Sequence, residues 1–582
     1  MIVKMKKISV ILEDKEIRAA LIALAETGVV HLEHLETPRG EELDLLKEEH
    51  ARLMDVLNVL RQVSPRPEQE AGTHIKQLFI NVATSLQEIQ ELDERILDYQ
   101  TQINHWEPWG NFDPQDFHRL EKQGVYVRLY AVPEAQLDTL PDDVTAEVLF
   151  VSEGMARVMI AARSPLKLDY DEVVLPECGL REWQGMLAKA REHRDQLQTF
   201  VEESAKLIDV FEQRLKRLED RIAYQQALTG RGLNDELALL RGYCPVDLCA
   251  AFEQRARQER WAYVIEDPAD EDVIPTLLRN PKWVELISPV FKVVEIIPGY
   301  REFDVSLVFL IFFTLFFGIL IGDAAYGLIF ALGTLVVQKK FGAAISDKRP
   351  FILMYLLTGF TFIWGVLTGT FFGQQWLPSS IEPLVPWLND FENMQLLCFT
   401  IALVHLSIAK IWSIVRKMPS ITFLSDVGWL LIIWGMFFVA NMFVLGFALP
   451  SFVLPLFYIG IPLAFVFMVE PKKLLSVAGE QTVPFILGVV GAGTDIVSYI
   501  RLFAVGLATV AVADATNSMA GGLPLPFMIL VLVIGHSLNL VLAAMAILVH
   551  AIRLNVLEFS GQLGMEWSGA AYTPFKTNNH EH

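Results

Sequence analysis

Eight apolar runs dominate the second half of the chain, at about 305–321, 324–338, 350–373, 393–415, 426–447, 451–469, 483–520 and 525–560. No other feature constrains the fold as strongly. Hydrocarbon offers no partner to a backbone N–H or C=O, so each run must satisfy its own peptide groups as a helix, and a span needs ~20 residues. The reading is a polytopic α-helical membrane domain over 304–582 with eight transmembrane helices. The first two runs are short and meet at "LIGDAAYG", which fits a tight turn or one long tilted helix. The last two exceed what a bilayer requires and are expected to tilt strongly or project beyond it.

Composition changes at the same boundary. From Asp304 onward there are 12 Lys+Arg and 14 Asp+Glu, out of 48 and 69 in the whole chain, so residues 1–303 form an acidic, charge-rich domain. A net charge of −21 argues against nucleic acid as a partner. Cys178, Cys244, Cys249 and Cys398 show neither metal-ligand nor disulfide-scaffold spacing and read as buried or idle thiols. The opening "MIVKMKKISVILEDKE" carries charges straight after a short apolar stretch and lacks a small-residue cleavage site, so it reads as a first strand and not as a signal peptide. No phosphate loop, zincin motif or nucleophile elbow is found, so neither a catalytic residue nor a metal or cofactor is expected.

The loops give an orientation. Lys339, Lys340, Lys348 and Arg349 follow the second run, Lys410, Arg416 and Lys417 the fourth, and Lys472 and Lys473 the sixth. The alternate connections contain no Lys or Arg: 374–392 has only Glu382, Asp390 and Glu392 as charges, and "FALPS" and "GGLPLP" have none. The positive-inside rule then places the basic loops, the N-terminal half and the C-terminal "YTPFKTNNHEH" in the cytoplasm of a multi-pass cell-membrane protein.

In residues 1–303 the fold class is α+β: two small α/β lobes joined by an antiparallel coiled-coil rod. Ile8, Val10 and Leu12 alternate as a half-buried strand, Ile17, Leu21 and Leu24 mark a helix face, and "GVVHLEHL" reads as a second strand, a β-α-β start. A charged helix from about Glu41 to Arg61 stops at "SPRP". Two heptad seams follow: Val82, Ser85, Ile89, Leu92, Ile96, Tyr99, Ile103 and Trp106, then Leu197, Val201, Ser204, Ile208, Phe211, Leu215, Leu218 and Ile222. Strand patterns "GVYVRLYAVP" and "AEVLFVSEGMARVMIAA" lie between them. The simplest geometry is a hairpin of helices (about 41–106 and 180–228) with a far lobe (107–178) at its tip and a near lobe (about 1–40 with 230–300) at its base. An intermolecular coiled coil is the alternative.

The chemistry is concentrated in the last two runs. Arg501 is the only basic residue besides His536 between Val483 and Val549, and a guanidinium at the centre of a bilayer costs roughly 2.5–3.5 kcal/mol even on lenient scales. Asp495 precedes it by one and a half turns, and Asp514 follows near the far end. The eighth run carries His536, Asn539, His550, Arg553 and Glu558, of which Asn539, His550 and Arg553 are spaced to share one helical face. Asp323 and His405 read as packing or turn residues. Neutralisation of Arg501 by Asp495, merely pinning helices, is one reading, and snorkelling of Arg553 to the interface another. The sharper reading is electrostatic: a guanidinium does not lose its proton, but an opposite charge lowers a nearby acid's pKa by ~1–3 units, so Arg501 can force a passing carboxylate to ionise.

"SYIRLFAVGLA", followed by "LVHAIRLNVLEF" and "YTPF", resembles the end of the membrane-embedded a/I subunit of rotary V-type and A/V-type ATPases. "YREFD", "FFGILIGDAAYG", "GVLTGTFFG" and "LVHLSIAKIW" match in order, and the N-terminal "KKISVILEDKEIRAALIALAETGVVHLE" resembles that family's opening. The resemblance implies a non-catalytic stator subunit that presents two offset ion half-channels to a rotating ring of c/K subunits, each with an essential carboxylate. Its implied partners are that ring, the peripheral stalks, the central-stalk-top subunit and the lipid membrane. It implies Arg501 as the arginine that displaces the ion and separates the half-channels, and Arg553 as the second arginine. Thr509 stands where the eukaryotic pattern has a histidine and Ala543 where it has a glutamate, so the polar lining must differ. Asp495, Ser498, Tyr499, His536, Asn539, His550 and Glu558 are the candidates for it. A stand-alone secondary ion transporter with a cytoplasmic regulatory domain, or a membrane-anchored scaffold without transport, are the competing functions.

Overall fold

The computed structural model describes all residues except 62–74, 140–143, 153, 166–167, 169, 206–207, 235, 343–344, 346, 374–383, 470–473 and 577–582. Glu382, Lys472 and Lys473 of the orientation argument, and the "SPRP" stop, lie outside the described residues. So do the last six residues of the C-terminal segment.

The near lobe is built on β1 (Met5–Glu13), which buries Ile8, Val10 and Leu12 on one face as the alternation dictates. Helix α1 (Ile17–Thr27) ends where Gly28 takes a left-handed conformation (φ 59°) and leads to β2 (His31–Glu33). β1 and β2 are not neighbours, which corrects a simple β-α-β start. A later strand separates them: with β7 (Gly232–Asn234), β8 (Leu237–Pro245) and β9 (Ala262–Glu266) the sheet order is β2-β8-β1-β9, all pairs antiparallel, and β7 pairs with β8. Gly242 makes that insertion possible, since a Cβ there would sit 2.5 Å from the His31 carbonyl oxygen.

Between β2 and β7 the chain leaves and returns. Helices α2 (Glu41–Leu60) and α3 (Ile75–Trp106) lead to the far lobe, with α4 (Pro114–Lys122) and strands β3 (Tyr126–Pro133), β4 (Thr145–Ser152), β5 (Met155–Ala162) and β6 (Asp171–Val173) in the order β4-β5-β3-β6. Helices α5 (Leu180–Ser204) and α6 (Ile208–Thr229) return. The two heptad seams face each other. Leu92 and Ile96 pack with Ala190 and Leu187, while Phe79 and Val82 pack with Val201, Ile208 and Phe211 nearer the base, so α3 runs antiparallel to α5. The near lobe is completed by α7 (Cys249–Gln258), whereas α8 (Ser288–Val294) packs through Phe291 against Phe309 of the helical half.

The second half is helical: α9 (Ser306–Ile321), α10 (Ala324–Phe341), α11 (Arg349–Thr368), α12 (Phe391–Lys417), α13 (Phe423–Leu445), α14 (Val453–Val466), α15 (Leu474–Ser498), α16 (Ile500–Ala520) and α17 (Leu525–Ala546). Two π-helical stretches, Ile547–Ala551 and Leu554–Phe559, then carry the last helix to α18 (Ser560–Leu563). Among the described residues five helices are long and apolar enough to cross a membrane, or six if the bent pair α9–α10 counts as one span. The axes of that pair differ by 118°, so the first two runs are not one long tilted helix. Gly322 (φ 66°) ends α9, and the buried Asp323 caps α10 by accepting from the Ala325 and Tyr326 amides at 2.8 and 3.1 Å. The eight expected runs thus include three short helices, of 16, 18 and 14 residues (α9, α10, α14), which at ~1.5 Å per residue reach about 21–27 Å of a ~30 Å core.

The bend is locked by close packing. A Cβ on Gly365 would lie 2.1 Å from the Ala324 nitrogen and 2.7 Å from its Cα, against backbone that cannot step aside. Gly365→Ala is therefore expected to destabilise the α9–α11 corner by about 1–3 kcal/mol, the usual cost of overpacking. A lowered melting temperature of the solubilised protein checks this, and an unchanged one refutes the corner as a fixed element.

The C-terminal segment returns to the near lobe. The Thr276 amide donates to Ala570 O (2.7 Å), the Phe575 amide to Val30 O (2.8 Å) and the Tyr572 hydroxyl to Val29 O (2.7 Å). The end of the last membrane helix is thereby tied to the base of the arm.

Candidate functional site

Arg501 is the second residue of α16, just after the break at Tyr499 that separates α15 from α16. The break frees the Ser498 carbonyl, which accepts from Arg501 Nε at 2.9 Å. Nη2 of the same guanidinium donates to Glu558 Oε1 at 2.6 Å, and Arg553 Nε lies 3.5 Å from that oxygen. The Glu558 side chain is 4% exposed, those of Arg501 and Arg553 21% and 53%. One buried acid is therefore shared by two cations, so with all three ionised the trio carries a net +1. Glu558 Oε2 is buried and, among the described residues, has no hydrogen-bond partner.

The π-helical stretches make this meeting possible. Each π turn inserts a residue and rotates the remainder of the helix by about 100°. Asn539, before both stretches, is buried, whereas Arg553, between them, is half exposed. The expected common face of Asn539, His550 and Arg553 is corrected accordingly, because the 11 and 3 spacing assumes an unbroken α-helix. His550 is partly buried and its Nδ1 has no hydrogen-bond partner among the described residues.

Asp495 does not neutralise Arg501. Its Oδ2 accepts from Gln562 Nε2 at 2.6 Å, and the Gln562 carbonyl accepts from Lys410 Nζ at 2.7 Å. Lys410, counted with the loop charges on sequence grounds, lies within α12 and is 8% exposed, which removes one vote from the positive-inside count. Tyr499 is fully buried and its hydroxyl lies 2.8 Å from His405 Nδ1. His405 is packed as expected, stacked between Phe312 and Phe559 at 3.7 and 4.3 Å.

A second polar cluster lies further along α16 toward the 521–524 turn. The Tyr326 hydroxyl lies 2.8 Å from His536 Nδ1 and accepts from Asn539 Nδ2 at 2.9 Å. Asn539 Nδ2 also donates to Thr509 O at 2.8 Å, and His536 Nε2 lies 3.1 Å from Asn517 Oδ1. Thr509, eight residues beyond Arg501, is buried and bonds to the Val505 and Leu320 carbonyls. Beside this cluster a cavity of 270 Å³ extends from Asp514, Thr368 and Thr370 to Gly506 and Leu502, next to Arg501. At ~1.5 Å per residue Asp514 is about 20 Å along the helix from Arg501.

Of the residues picked from sequence, the structure thus joins Arg501, Arg553, Glu558 and the Ser498 carbonyl in one group. Asp495 stands beside it with Gln562, and His536 and Asn539 belong to the second cluster. Tyr326, Asn517 and Gln562 were missed; the signal of the first two was a polar side chain inside an apolar run, and Gln562, just past the last run, had none. Among the described residues no group of His, Cys, Asp or Glu could hold a metal ion.

Apolar helices of spanning length that hold a charged trio between two polar clusters define a multi-pass membrane protein with an ionic group among its helices. The chain belongs to the family of V-type ATP synthase subunit I. It is 30% identical to V-type ATP synthase subunit I 1 of Treponema pallidum, over 99% of this chain and 100% of that one. It is 29% identical to V-type ATP synthase subunit I of Borreliella burgdorferi, over 99% of each. A-type ATP synthase subunit I of Methanocaldococcus jannaschii is 28% identical over 54% of this chain and 51% of its own. No family model matches the chain. A crystal structure of the cytoplasmic N-terminal domain of subunit I, homolog of subunit a, of V-ATPase aligns with 45% of this chain and 99% of its own at 18% identity and a TM-score of 0.20, too low to bear on the fold.

Proposed function

We propose that the chain is the stator subunit of a rotary V/A-type ATPase, coupling proton or sodium translocation along a c/K ring to ATP hydrolysis or synthesis on other subunits. The observation that carries the reading is the shared acid. Glu558 compensates one of two guanidiniums and leaves a positive charge at a partly exposed position, where a ring carboxylate can complete the pairing. The exposed side of α16 suits a rotor, since Ala504, Ala508, Ala511 and Ala515 follow Arg501 at three- and four-residue spacing and small side chains let a second helix approach closely.

The two polar clusters are the half-channels of this reading. Asp495, Gln562 and Lys410 stand at the end that the basic loops assign to the cytoplasm. Tyr326, His536, Asn539, Asn517 and the 270 Å³ cavity at Asp514 stand at the other, with Arg501 between them. Eight crossings, both termini cytoplasmic, complete the topology. The paired helices α2, α3, α5 and α6 form the arm that docks peripheral stalks, and the near lobe faces the central-stalk-top subunit.

Copurification with ATP-driven uptake tests the proposal. A stator comes out of the membrane with a c-type ring and stalk subunits, and vesicles containing the complex take up ions only when ATP is hydrolysed. Isolation as a homo-oligomer that moves ions without ATP would establish the stand-alone transporter instead.

A further inference from the structure

Away from the charged trio, α10, α11 and α17 enclose an open cavity of 340 Å³ lined by Ile329, Phe330, Gly333, Val337, Met354 and Leu540 among others. Its polar side chain, Thr334, has its hydroxyl turned onto its own helix, donating to Phe330 O at 2.7 Å. Among the described residues the groove thus offers almost no polar surface to a ligand. Gly333 opens it, because a Cβ at that position would meet nothing within 4 Å.

The mouth of the groove is basic. Val337 is followed one turn on by Lys340, Lys339 lies at the same level on the other side of α10, and Lys348 and Arg349 stand at the start of α11 next to Pro350, which also lines the groove. Arg349 is engaged by Asp347 (2.8 Å) and by Glu285 (3.7 Å), and hydrogen bonding to Arg349 holds the Asp347 carboxyl down at about 2. Lys348 Nζ donates to the Gly342 and Ile345 carbonyls. Lys339 and Lys340 are exposed and, among the described residues, have no ion-pair partner.

We infer that this groove is a seat for one anionic phospholipid, with an acyl chain along Gly333 and the phosphate at Lys340, within the field of Lys339. Hydrocarbon gains nothing by leaving one apolar surroundings for another, so the chain alone would exchange freely with bulk lipid. Retention comes from the headgroup, and two lysines near a membrane surface favour an anionic over a zwitterionic lipid by on the order of tenfold or more. The occupant is a lipid and not a soluble phosphate, because only a tethered chain uses the apolar groove. The inference does not depend on the rotor.

Native mass spectrometry of the full chain, released from nanodiscs with graded phosphatidylglycerol in phosphatidylcholine, tests it. One phosphatidylglycerol is expected to be retained by the wild-type chain in roughly tenfold preference to phosphatidylcholine, and to resist displacement by glycerol phosphate. Gly333→Leu, whose Cβ has open space and whose branched end enters the groove, and the exposed pair Lys339→Gln/Lys340→Gln should each abolish the retention with an unchanged melting temperature. Retention that survives both substitutions, equal retention of the two lipids, or displacement by glycerol phosphate overturns the proposal. So does crosslinking of a polypeptide to Gly333→Cys. If the leucine variant does not fold, the lysine pair and the lipid preference decide alone.

Discussion

Arg501→Ala is expected to bring ATP-driven ion uptake below about a hundredth of the wild-type rate while the complex still assembles. A ring carboxylate entering a helix interface has two ways to avoid an uncompensated charge, to stay protonated or to pair. A guanidinium settles the choice by lowering the acid's pKa by ~1–3 units without ever giving up its own proton. With alanine in its place the acid would pass between the two polar clusters protonated, and nothing would force release into one cluster before loading from the other. Assembly should survive because Glu558 still faces Arg553 at 3.5 Å, and α16 remains packed through Leu502, Gly506 and Thr509. Arg501→Lys is expected to fail as well. One ammonium lacks the planar fork that reaches the Ser498 carbonyl and Glu558 together. Uptake by reconstituted vesicles, normalised to subunit content, reads the effect, and a wild-type rate in the alanine variant would remove Arg501 from the mechanism.

Arg501 could be found in the sequence because a permanent cation stands out against its apolar neighbours, and its cost demands a reason. Glu558 was found too, but its partnership was not. The chain's own phase, carried forward at 3.6 residues per turn, places Asn539 and Arg553 together; two π stretches, invisible to periodicity, turn Arg553 outward and Glu558 onto Arg501. Lys410 was misplaced for a related reason, since a lysine near a helix end looks like a loop charge until Gln562, 152 residues later, supplies the carbonyl that holds it. Tyr326 and Asn539 are separated by 213 residues, and no local pattern announces such a pair. In the near lobe the alternation of β1 and the face of α1 were legible, because burial follows local period. The insertion of β8 between β1 and β2 was not, since strand order is decided by contacts across more than 200 residues.

The charge of the trio yields the second large effect. If a net +1 is what receives the ring carboxylate, then Glu558→Gln, which leaves +2, and Arg553→Gln, which leaves 0, should both slow uptake by at least tenfold, for opposite reasons. Too much positive charge holds the acid at the interface, and too little fails to ionise it. The double variant Arg553→Gln/Glu558→Gln returns the site to +1 and should recover a substantial share of the rate, a coupling that independent residues would not show. Removing the acid entirely is a different perturbation. Glu558→Ala strips two guanidiniums of their counter-charge, and breaking a buried pair this way costs about 3–5 kcal/mol, toward the lower end here because Arg553 is half exposed. Its melting temperature should fall, and Glu558→Gln, which loses the same counter-charge but keeps a hydrogen-bond acceptor near Arg501, should fall by less. A double variant as inactive as Arg553→Gln alone would show that Arg553 acts through its own contact and not through the sum of charges. The shared acid would then be a structural clasp between the last two helices.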